Sequence, residues 1–521
     1  MHDLLSKYYY ELLLFFASLA VLLPVAMTIQ PFEIPDENAH YASLHFLNNS
    51  SRMPNLQDSN NLSREELATE TVFGVVEGQN KYSYHPEYRL EYLSGLIGKY
   101  EPEIRSYNTS ELRQTYLTKQ AALYPPLYYW LTLPFYRLVS NADILTRLFA
   151  SRFSSVLFTT FTVLLAYWIG QLVFRRRDAA VTLAVLVLFY PMTAYIGSGV
   201  NSDNLHNLIF AFATLLCLKI INSGWNFHTS LAIGVAIGLD LLTKPQGYIL
   251  FPIFALAALC RFKFEWKVWL KHLPIVLFPV LILAGWQEIP KSLSGNLYST
   301  QAYLYTGWEH FRPFAFGYLR IHLTEMPVWY WGAFKWFGVL LPKVWWWTAT
   351  RLVGLAGIGL LFRLAGDIKE HKFSPQSRFI LFTLGANFIY VVALFWFDWQ
   401  FYQQFGRSLG LQARYYMPLL ISQMALLLLG FSSLGWNKLS KDWLIKFLTI
   451  FFLGLQLTSF YTQLASYYDI FPLSRLLEQI SQYKPIIAKG SWWYLWFSLY
   501  FAGIITGVSL AFSKNKDRKI I

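Results

Sequence analysis

Runs of apolar residues, each about long enough to cross a lipid bilayer, recur along the whole chain. The first run covers residues 12–28, and a membrane-spanning helix needs roughly 17 to 25 mostly apolar residues. Because a bilayer core offers no water to bond backbone N–H and C=O groups, each spanning run must satisfy them internally as an α-helix. The sequence therefore predicts an all-α polytopic membrane protein with about twelve transmembrane helices.

The predicted spans are counted with segment 124–140 taken as a short helix on the membrane surface. They cover residues 12–28, 145–174, 179–196, 205–221, 230–242, 248–261, 273–288, 344–364, 379–397, 414–437, 447–465 and 493–512. Of the 521 residues, 55% are hydrophobic and only 14% are charged, whereas soluble proteins carry roughly 25% charged residues. This composition excludes an ordinary soluble enzyme.

Basic residues collect in the short loops between the apolar runs. Arg175, Arg176 and Arg177 follow one run, and Lys438 precedes another. Because such loops remain on the cytoplasmic side, their positions predict cytoplasmic N- and C-termini, with a cytoplasmic tail at 513–521. The net charge of +13 thus orients the chain in the lipid bilayer, and we predict no nucleic-acid partner.

Two longer segments are predicted on the outer side of the membrane. Residues 30–123 are polar and too long for a simple connector, so we expect a folded external loop. The helix at 124–140 begins with a proline pair and is expected to lie along the membrane surface. Residues 290–343 are rich in aromatic side chains and are expected to hold a second interfacial helix or re-entrant turn. The whole chain, 1–521, is predicted to be one integral membrane domain.

The stretch directly after the first span places acid–base groups at the membrane surface. Pro31 and Pro35 end the helix, and Asp36, Glu37 and His40 follow. A carboxylate in this place can act as a general base, and His40 can lie on the same face if a helix begins just before it. The alternative is that Asp36 only caps this helix.

Further charged residues return to the same predicted side. Asp203 follows the third span, Lys244 lies between two apolar runs, and Arg414 opens the tenth span with Tyr415 beside it. A charge at membrane depth is costly and needs a partner, and a guanidinium can hold a phosphate through two parallel hydrogen bonds. Three alternatives stay open: a helix cap for Asp203, snorkelling for Lys244 and an interfacial anchor for Arg414.

Several short motifs stand in a characteristic order along the chain. They are Pro35-Asp36-Glu37-Asn38-Ala39-His40, Tyr124-Pro125-Pro126-Leu127-Tyr128-Tyr129, Asn201-Ser202-Asp203-Asn204, Lys244-Pro245, residues 334–342 and Ala413-Arg414-Tyr415-Tyr416-Met417-Pro418. With the large first external loop, they resemble the GT-C fold of membrane glycosyltransferases. The resemblance covers residues 8–430 and is closer to a bacterial membrane family of unknown function that is related to protein O-mannosyltransferases.

This resemblance implies transfer of a hexosyl or pentosyl group from a polyprenyl-phosphate-sugar donor to an acceptor hydroxyl, with inversion. Asp36 is then the general base, and Lys244 and Arg414 neutralise the phosphate that leaves. The site is expected on the extracytoplasmic face of a bacterial plasma (inner) membrane. The acceptor is a glycan, a protein or a lipid.

Four more residues receive supporting or substrate-binding roles, Glu37 and Asp203 from the same resemblance and His40 and Tyr415 from their places beside Asp36 and Arg414. Glu37 and Asp203 would assist the base or hold a divalent cation, Mg²⁺ or Mn²⁺, because such hard cations prefer carboxylate oxygens. His40 and Tyr415 would support the site or bind substrate. No other cofactor is implied.

Two other classes of function stay open. A transporter or flippase of lipid-linked sugars is expected to carry polar groups within its spans and, often, internal repeats, whereas the spans predicted here are apolar. A non-catalytic protein of envelope-polysaccharide assembly would keep the fold without the chemistry. Sugar transfer that depends on Asp36 would separate the enzyme from both.

Overall fold

A computed structural model describes residues 8–54, 58, 60–76, 92, 99–118, 124–261, 266–293, 303–371, 373–408, 412–435 and 437–513. Within these residues the chain is mainly α-helical, with two antiparallel sheets of two strands each. An all-α membrane architecture is therefore confirmed.

The helices are numbered in chain order. They are α1 (Tyr9–Thr28), α2 (Glu37–Ser50), α3 (Arg64–Phe73), α4 (Glu101–Ser106), α5 (Ser110–Gln114), α6 (Leu127–Leu138), α7 (Ile144–Phe174), α8 (Arg177–Leu188), α9 (Pro191–Gly197), α10 (Asp203–Ser223), α11 (Phe227–Leu241), α12 (Leu250–Leu259), α13 (Trp266–Leu293), α14 (Trp308–Thr324), α15 (Met326–Trp331), α16 (Lys343–Lys369), α17 (Pro375–Phe405), α18 (Leu420–Leu434), α19 (Lys438–Tyr467), α20 (Leu473–Ile480) and α21 (Trp492–Phe512). Short 3₁₀ helices are η1 (Pro245–Ile249), η2 (Ala413–Leu419) and η3 (Ile486–Ala488). Strand β1 (Leu62–Ser63) pairs with β2 (Tyr116–Thr118), and β3 (Ala333–Phe334) pairs with β4 (Val339–Leu340).

Eight segments of the described chain are long and apolar enough to cross a membrane. They are Tyr9–Thr28, Ile144–Phe174, Asp203–Ser223, Trp266–Gln287, Pro375–Phe405, Ala413–Leu434, Leu439–Tyr467 and Trp492–Phe512. Helices α8 and α9 make a ninth if they are taken as one span that bends by 58°. A multi-pass membrane protein is confirmed, whereas the predicted number of about twelve spans is not.

The remaining predicted spans are helical but fall outside this group. Helix α11 has 15 residues and α12 has 10, which is short of the roughly 17 that a span needs. Helix α16 is long enough with 27 residues, but it carries Arg351, Arg363 and Asp367 along its length. The bend between α8 and α9 coincides with Pro191, the first residue of α9, because proline cannot continue a preceding helix.

Glycines set the closest helix crossings. A Cβ atom added at Gly503 of α21 would lie 2.9 Å from the carbonyl oxygen of Ala17 in α1. A Cβ added at Gly359 of α16 would collide with the carbonyl group of Gly430 in α18. Because lipid offers little hydrophobic drive for helix association, such close backbone approach supplies the van der Waals contact that holds spans together.

The described parts of residues 30–123 pack onto the start of α7. Arg147 of α7 is fully buried and ion-pairs with Glu65 of α3. Its guanidinium also donates to the Tyr136 hydroxyl at 2.7 Å, and His45 Nδ1 lies 2.7 Å from the same oxygen. This network ties α2, α3 and α6 to α7. The place of this segment outside the membrane, and of α6 along its surface, remains a prediction.

A capping box starts α3. The Ser63 hydroxyl accepts a hydrogen bond from the backbone N–H of Glu66 at 3.2 Å, and Glu66 Oε2 accepts from the backbone N–H of Ser63 at 2.9 Å. The Glu66 side chain is buried, and burial raises the pKa of its carboxyl to about 8. The folded segment therefore favours the protonated form of this carboxyl.

Like the predicted loop 30–123, two further predicted segments lie partly outside the described residues. In 290–343 the structure describes α14, α15 and the β3–β4 pair, and residues 294–302 lie outside it. In the predicted tail 513–521 only residue 513 is described. The side of the membrane on which each segment lies remains a prediction.

Candidate functional site

Asp36 occupies the N-terminal cap position of α2, but its side chain makes no capping hydrogen bond. Its backbone lies in the left-handed region, with φ at 63°. This conformation is uncommon for residues other than glycine, and such backbone strain clusters at functional sites. The side chain is 25% exposed. The capping interpretation is therefore wrong, and the carboxylate is accessible from outside the protein.

Arg414 and Lys244 bring two cations to two carboxylates. Arg414 of η2 ion-pairs with Asp36, and its Nη1 lies 3.6 Å from Asp203 Oδ2. Lys244, directly before η1, ion-pairs with Asp203 through Oδ1. The four side chains form a row of alternating sign in the order Asp36, Arg414, Asp203, Lys244. We call these four residues the charged row.

Burial decides between the alternatives that the sequence left open for this row. The side chains of Arg414, Asp203 and Lys244 are only 4%, 5% and 10% exposed, so Lys244 does not snorkel to water. Asp203 is the first residue of α10 and Ser202 holds the cap position. Buried charges persist where each has a partner. The row is therefore a buried, paired cluster whose charges sum to zero and whose exposed end is Asp36.

The loop between α1 and α2 is fixed against α10 and η2 by one carbonyl group. The Pro35 carbonyl accepts hydrogen bonds from Asn201 Nδ2 at 2.9 Å and from Arg414 Nη1 at 3.1 Å. Asn201 Oδ1 in turn accepts from the backbone N–H of Asp203 at 2.8 Å. A Cβ at Gly199 would lie 2.5 Å from Ile34, so only glycine allows this approach. These contacts place Asp36 and Asp203 in one site.

Tyr415 and His40 lie in different surroundings. The Tyr415 ring faces both cations, at 5.2 Å from Lys244 Nζ and 5.3 Å from the Arg414 guanidinium carbon. His40 Nδ1 lies 2.7 Å from the Tyr129 hydroxyl, and its ring packs at 4.4 Å from that of Tyr124. Tyr415 is therefore part of the charged row's environment. His40 contacts the Tyr124–Tyr129 motif.

Glu37 faces away from the charged row and binds Arg152 of α7. Its two carboxylate oxygens accept from Arg152 Nε at 2.7 Å and from Arg152 Nη2 at 2.6 Å. They also accept from the backbone N–H groups of Val200, at 3.1 Å, and Phe32, at 3.0 Å. The other N–H groups of Arg152 reach the carbonyls of Ala26, Ile29 and Gln30. Glu37 thus holds the loop that carries Asp36.

Sequence reasoning did not find Arg152 or Arg147. The signal was present, because both arginines stand inside the predicted span 145–174, where an ionisable residue marks a candidate site with a partner. The expectation of apolar spans is also wrong at His206 and Asp240. These two are fully buried, with His206 Nδ1 at 2.7 Å from Asp240 Oδ1.

The residues predicted to bind a divalent cation do not fit that role together. The Glu37 carboxylate is occupied by a guanidinium and two backbone N–H groups, and Oδ1 of the Asp203 carboxylate by Lys244. In the part of the chain that the structure describes, no group of three or more His, Cys, Asp or Glu side chains could hold a metal ion. A cation requirement remains a prediction.

A narrow cleft with aromatic walls adjoins the charged row. Pro35 and Arg414 line it together with Met192, Trp329 and Phe337. Phe337 belongs to a tight turn between β3 and β4 in which three successive residues have positive φ values of 48°, 53° and 68°. The motif at 334–342 therefore contributes a strained turn to the wall beside Arg414.

The sequence profile of a family described as "Predicted membrane protein (DUF2142)" matches residues 19–422. The chain belongs to this family. All four residues of the charged row lie within the matched region. The predicted resemblance to a bacterial membrane family of unknown function agrees with this membership.

The chain is also similar to a named enzyme, the "Undecaprenyl phosphate-alpha-4-amino-4-deoxy-L-arabinose arabinosyl transferase" of Yersinia pestis (strain Pestoides F). The two are 26% identical over 202 residues, which is 37% of this chain and 35% of that protein. The chain thus spans only 35% of the length of the curated relative it matches. This match agrees with the resemblance to membrane glycosyltransferases that the motifs predict.

Two solved structures show a distant likeness over most of the chain. One is ArnT from Cupriavidus metallidurans bound to undecaprenyl phosphate. The match includes 95% of this chain and 75% of the ArnT chain, with a TM-score of 0.43 and 13% identity. The other is an oligosaccharyltransferase from Archaeoglobus fulgidus in complex with Zn and sulfate. The match includes 86% of this chain and 52% of the oligosaccharyltransferase chain, with a TM-score of 0.40 and 14% identity.

Proposed function

We propose that this protein is a glycosyltransferase that moves a sugar from a polyprenyl-phosphate donor to an acceptor hydroxyl on the extracytoplasmic face of a bacterial membrane. The charged row carries the proposal, because a partly exposed carboxylate lies beside two buried cations that come from distant stretches of chain. Local sequence similarity to an arabinosyl transferase whose name includes undecaprenyl phosphate supports this donor class.

In the proposed step, Asp36 is the general base. It accepts the proton of the acceptor hydroxyl while the hydroxyl oxygen attacks the anomeric carbon of the sugar. The bond from that carbon to the donor phosphate oxygen breaks, and the electron pair leaves with the polyprenyl phosphate. Attack from the face opposite the phosphate inverts the anomeric configuration.

Arg414 and Lys244 stabilise the negative charge that develops on the leaving phosphate. Fixed cations that face a developing charge lower the transition-state energy most where water is excluded. Arg414 also contacts Asp36, and an adjacent guanidinium favours the ionised carboxylate that a base requires. Asp203 holds both cations in place, and Tyr415 offers an aromatic face beside them on which a sugar ring can pack.

The charge of the site gives a reason to test whether transfer requires a divalent cation. The four charges of the row sum to zero, so a bound donor phosphate would leave the site with excess negative charge. Mg²⁺ or Mn²⁺ would offset this excess, and its protein ligands would have to include groups other than Glu37. Transfer measured with and without a chelator decides the requirement.

The experiment compares sugar transfer by wild type and Asp36→Asn, purified and supplied with a panel of radiolabelled polyprenyl-phosphate sugars and envelope extract. We expect the rate to fall at least 100-fold, which is the typical contribution of a general base. Asp178→Asn, at an exposed ion pair of α8, is the matched control and should keep full activity. Lys244→Gln should raise the KM for the donor and lower kcat.

Two outcomes would overturn the proposal. Equal transfer by wild type and Asp36→Asn would remove Asp36 as the base. No transfer from any donor by a protein that keeps its melting temperature would favour the transporter or assembly alternatives.

A further inference from the structure

A large apolar cavity opens on the side of the molecule formed by α1, α6, α7 and α21. Its volume is about 740 Å³, and Met27, Phe135, Phe149, Ile487 and Trp496 are among the side chains that line it. Ligand pockets in proteins typically measure about 300 to 1,000 Å³ and have mainly apolar walls. This cavity is therefore of the size and character that hold hydrocarbon chains.

One edge of the cavity is charged. Arg105, Asp143 and Lys489 lie at this edge, and Glu101 connects them. Arg105 ion-pairs with Asp143 and, at 2.6 Å, with Glu101 Oε1; Lys489 Nζ lies 2.7 Å from the same Glu101 oxygen. We call these four residues the rim cluster. Its charges sum to zero.

The rim cluster retains donor capacity for an anionic oxygen. The five N–H groups of Arg105 include two directed at Glu101, one at Asp143 and one at the Lys484 carbonyl. Lys489 Nζ uses two of its three donors, on Glu101 and on the Ser481 carbonyl. Counted against the residues that the structure describes, one N–H of each cation remains. Both cations contact the same Glu101 oxygen, and two neighbouring cationic donors suit a phosphate oxygen.

The rim cluster lies at the same end of α1 as the Asp36 loop. Lys484 Nζ donates to the carbonyls of Thr28 and Ile29, at 3.2 Å and 2.8 Å, so the segment that carries Lys489 rests on the last turn of α1. The apolar lining then continues back along α1 through Met27 to Leu23. Because α1 is a candidate span, we expect the charged edge at the depth of the lipid headgroups and the apolar wall within the bilayer.

We propose that this cavity is a specific binding site for a zwitterionic phospholipid with an ethanolamine headgroup. The lipid phosphate accepts hydrogen bonds from Arg105 and Lys489, its ammonium group faces Glu101 and Asp143, and its acyl chains fill the apolar cavity. A zwitterion leaves the neutral rim cluster neutral, whereas an anionic lipid would leave one negative charge uncompensated at a partly desolvated place. The site is separate from the charged row and does not depend on the proposed transfer activity.

Phe149 connects the cavity to the residues that hold the Asp36 loop. One side of this residue lines the cavity. The Arg152 guanidinium carbon lies 4.6 Å from the ring centroid, and Lys484 Nζ lies 4.8 Å from it. Acyl chains in the cavity therefore pack against the residue that backs the Glu37–Arg152 pair.

The test is native mass spectrometry of the full-length protein after delipidation, titrated with phosphatidylethanolamine or phosphatidylglycerol of identical acyl chains. We expect one phosphatidylethanolamine per chain to be retained at least 10-fold more tightly than phosphatidylglycerol. Ala150→Trp fills the cavity from α7 and should weaken this binding at least 10-fold. Gly354→Trp, at a position of α16 with open space around it, is the matched control and should bind as wild type does.

A second variant keeps the test decisive if Ala150→Trp does not fold. Lys489→Gln leaves the apolar wall intact and makes the rim cluster negative, so it should reduce retention of phosphatidylethanolamine at least fivefold without lowering the melting temperature. Equal retention of the two lipids would overturn the headgroup assignment. Equal retention by wild type, Ala150→Trp and Lys489→Gln would overturn the site.

Discussion

Glu37→Gln should release the loop that carries Asp36, because it leaves the Arg152 guanidinium buried without its counter-charge. Both side chains are at most 1% exposed, and removal of one partner from a buried ion pair costs about 3–5 kcal/mol. Since about 1.4 kcal/mol corresponds to a factor of ten in an equilibrium constant, local opening around Asp36 should become about 140- to 3,700-fold more frequent.

Hydrogen exchange of peptides that cover residues 29–40 measures this opening in the purified protein. Glu103→Gln, at an exposed carboxylate of α4, is the control and should exchange at the wild-type rate. The double variant Arg152→Met with Glu37→Gln should exchange more slowly than Arg152→Met alone. The glutamine removes a buried charge, and its one side-chain oxygen can still accept from either Phe32 or Val200, whose N–H groups bond to different carboxylate oxygens of Glu37. Wild-type exchange in Glu37→Gln, or faster exchange in the double variant, would refute the reasoning.

Two further predictions concern the capping box of α3 and the crossing of α16 and α18. The carboxyl of Glu66 ionises with a pKa of about 8 in place of its ordinary 4.5, so folding stability is lost as pH rises through this window. The free energy of unfolding of Glu66→Gln should therefore rise relative to that of wild type by about 1.4 kcal/mol for each pH unit between pH 5 and pH 8. Thermal unfolding measures this as a growing difference in melting temperature, and a constant difference would contradict it. Gly359→Val should lower the melting temperature through its collision with Gly430, at a cost of about 1–3 kcal/mol. Gly357→Val places its side chain in open space and should keep the wild-type melting temperature. Equal melting temperatures of the two valine variants would contradict the close crossing of α16 and α18.

Helix positions could be predicted because they depend on local composition. Each predicted apolar run contains a helix, and the runs at 12–28 and 145–174 agree with α1 and α7 to within three residues at each end. The count of spans could not be predicted equally well. Whether a helix of 15 residues such as α11 crosses the membrane depends on its depth and on its packing against other helices, which composition alone does not encode.

The sequence by itself determined the candidates of the charged row. A charged side chain beside an apolar run is rare and costly, so Asp203, Lys244 and Arg414 are conspicuous in the sequence. Their pairing was decided only by the tertiary structure, because η2 approaches the Asp36 loop across 378 positions of chain. No local pattern encodes a contact over that distance.

The adjacent acids Asp36 and Glu37 show the same division most clearly. The sequence predicted both at the membrane surface, and the family resemblance made Asp36 the base and Glu37 a supporting residue, but neither could show which groups each side chain contacts. The left-handed conformation at Asp36 leaves its carboxylate partly exposed beside Arg414, whereas Glu37 begins α2 and is enclosed by Arg152. Burial, which only the folded chain creates, makes one acid a candidate base and the other a structural anchor.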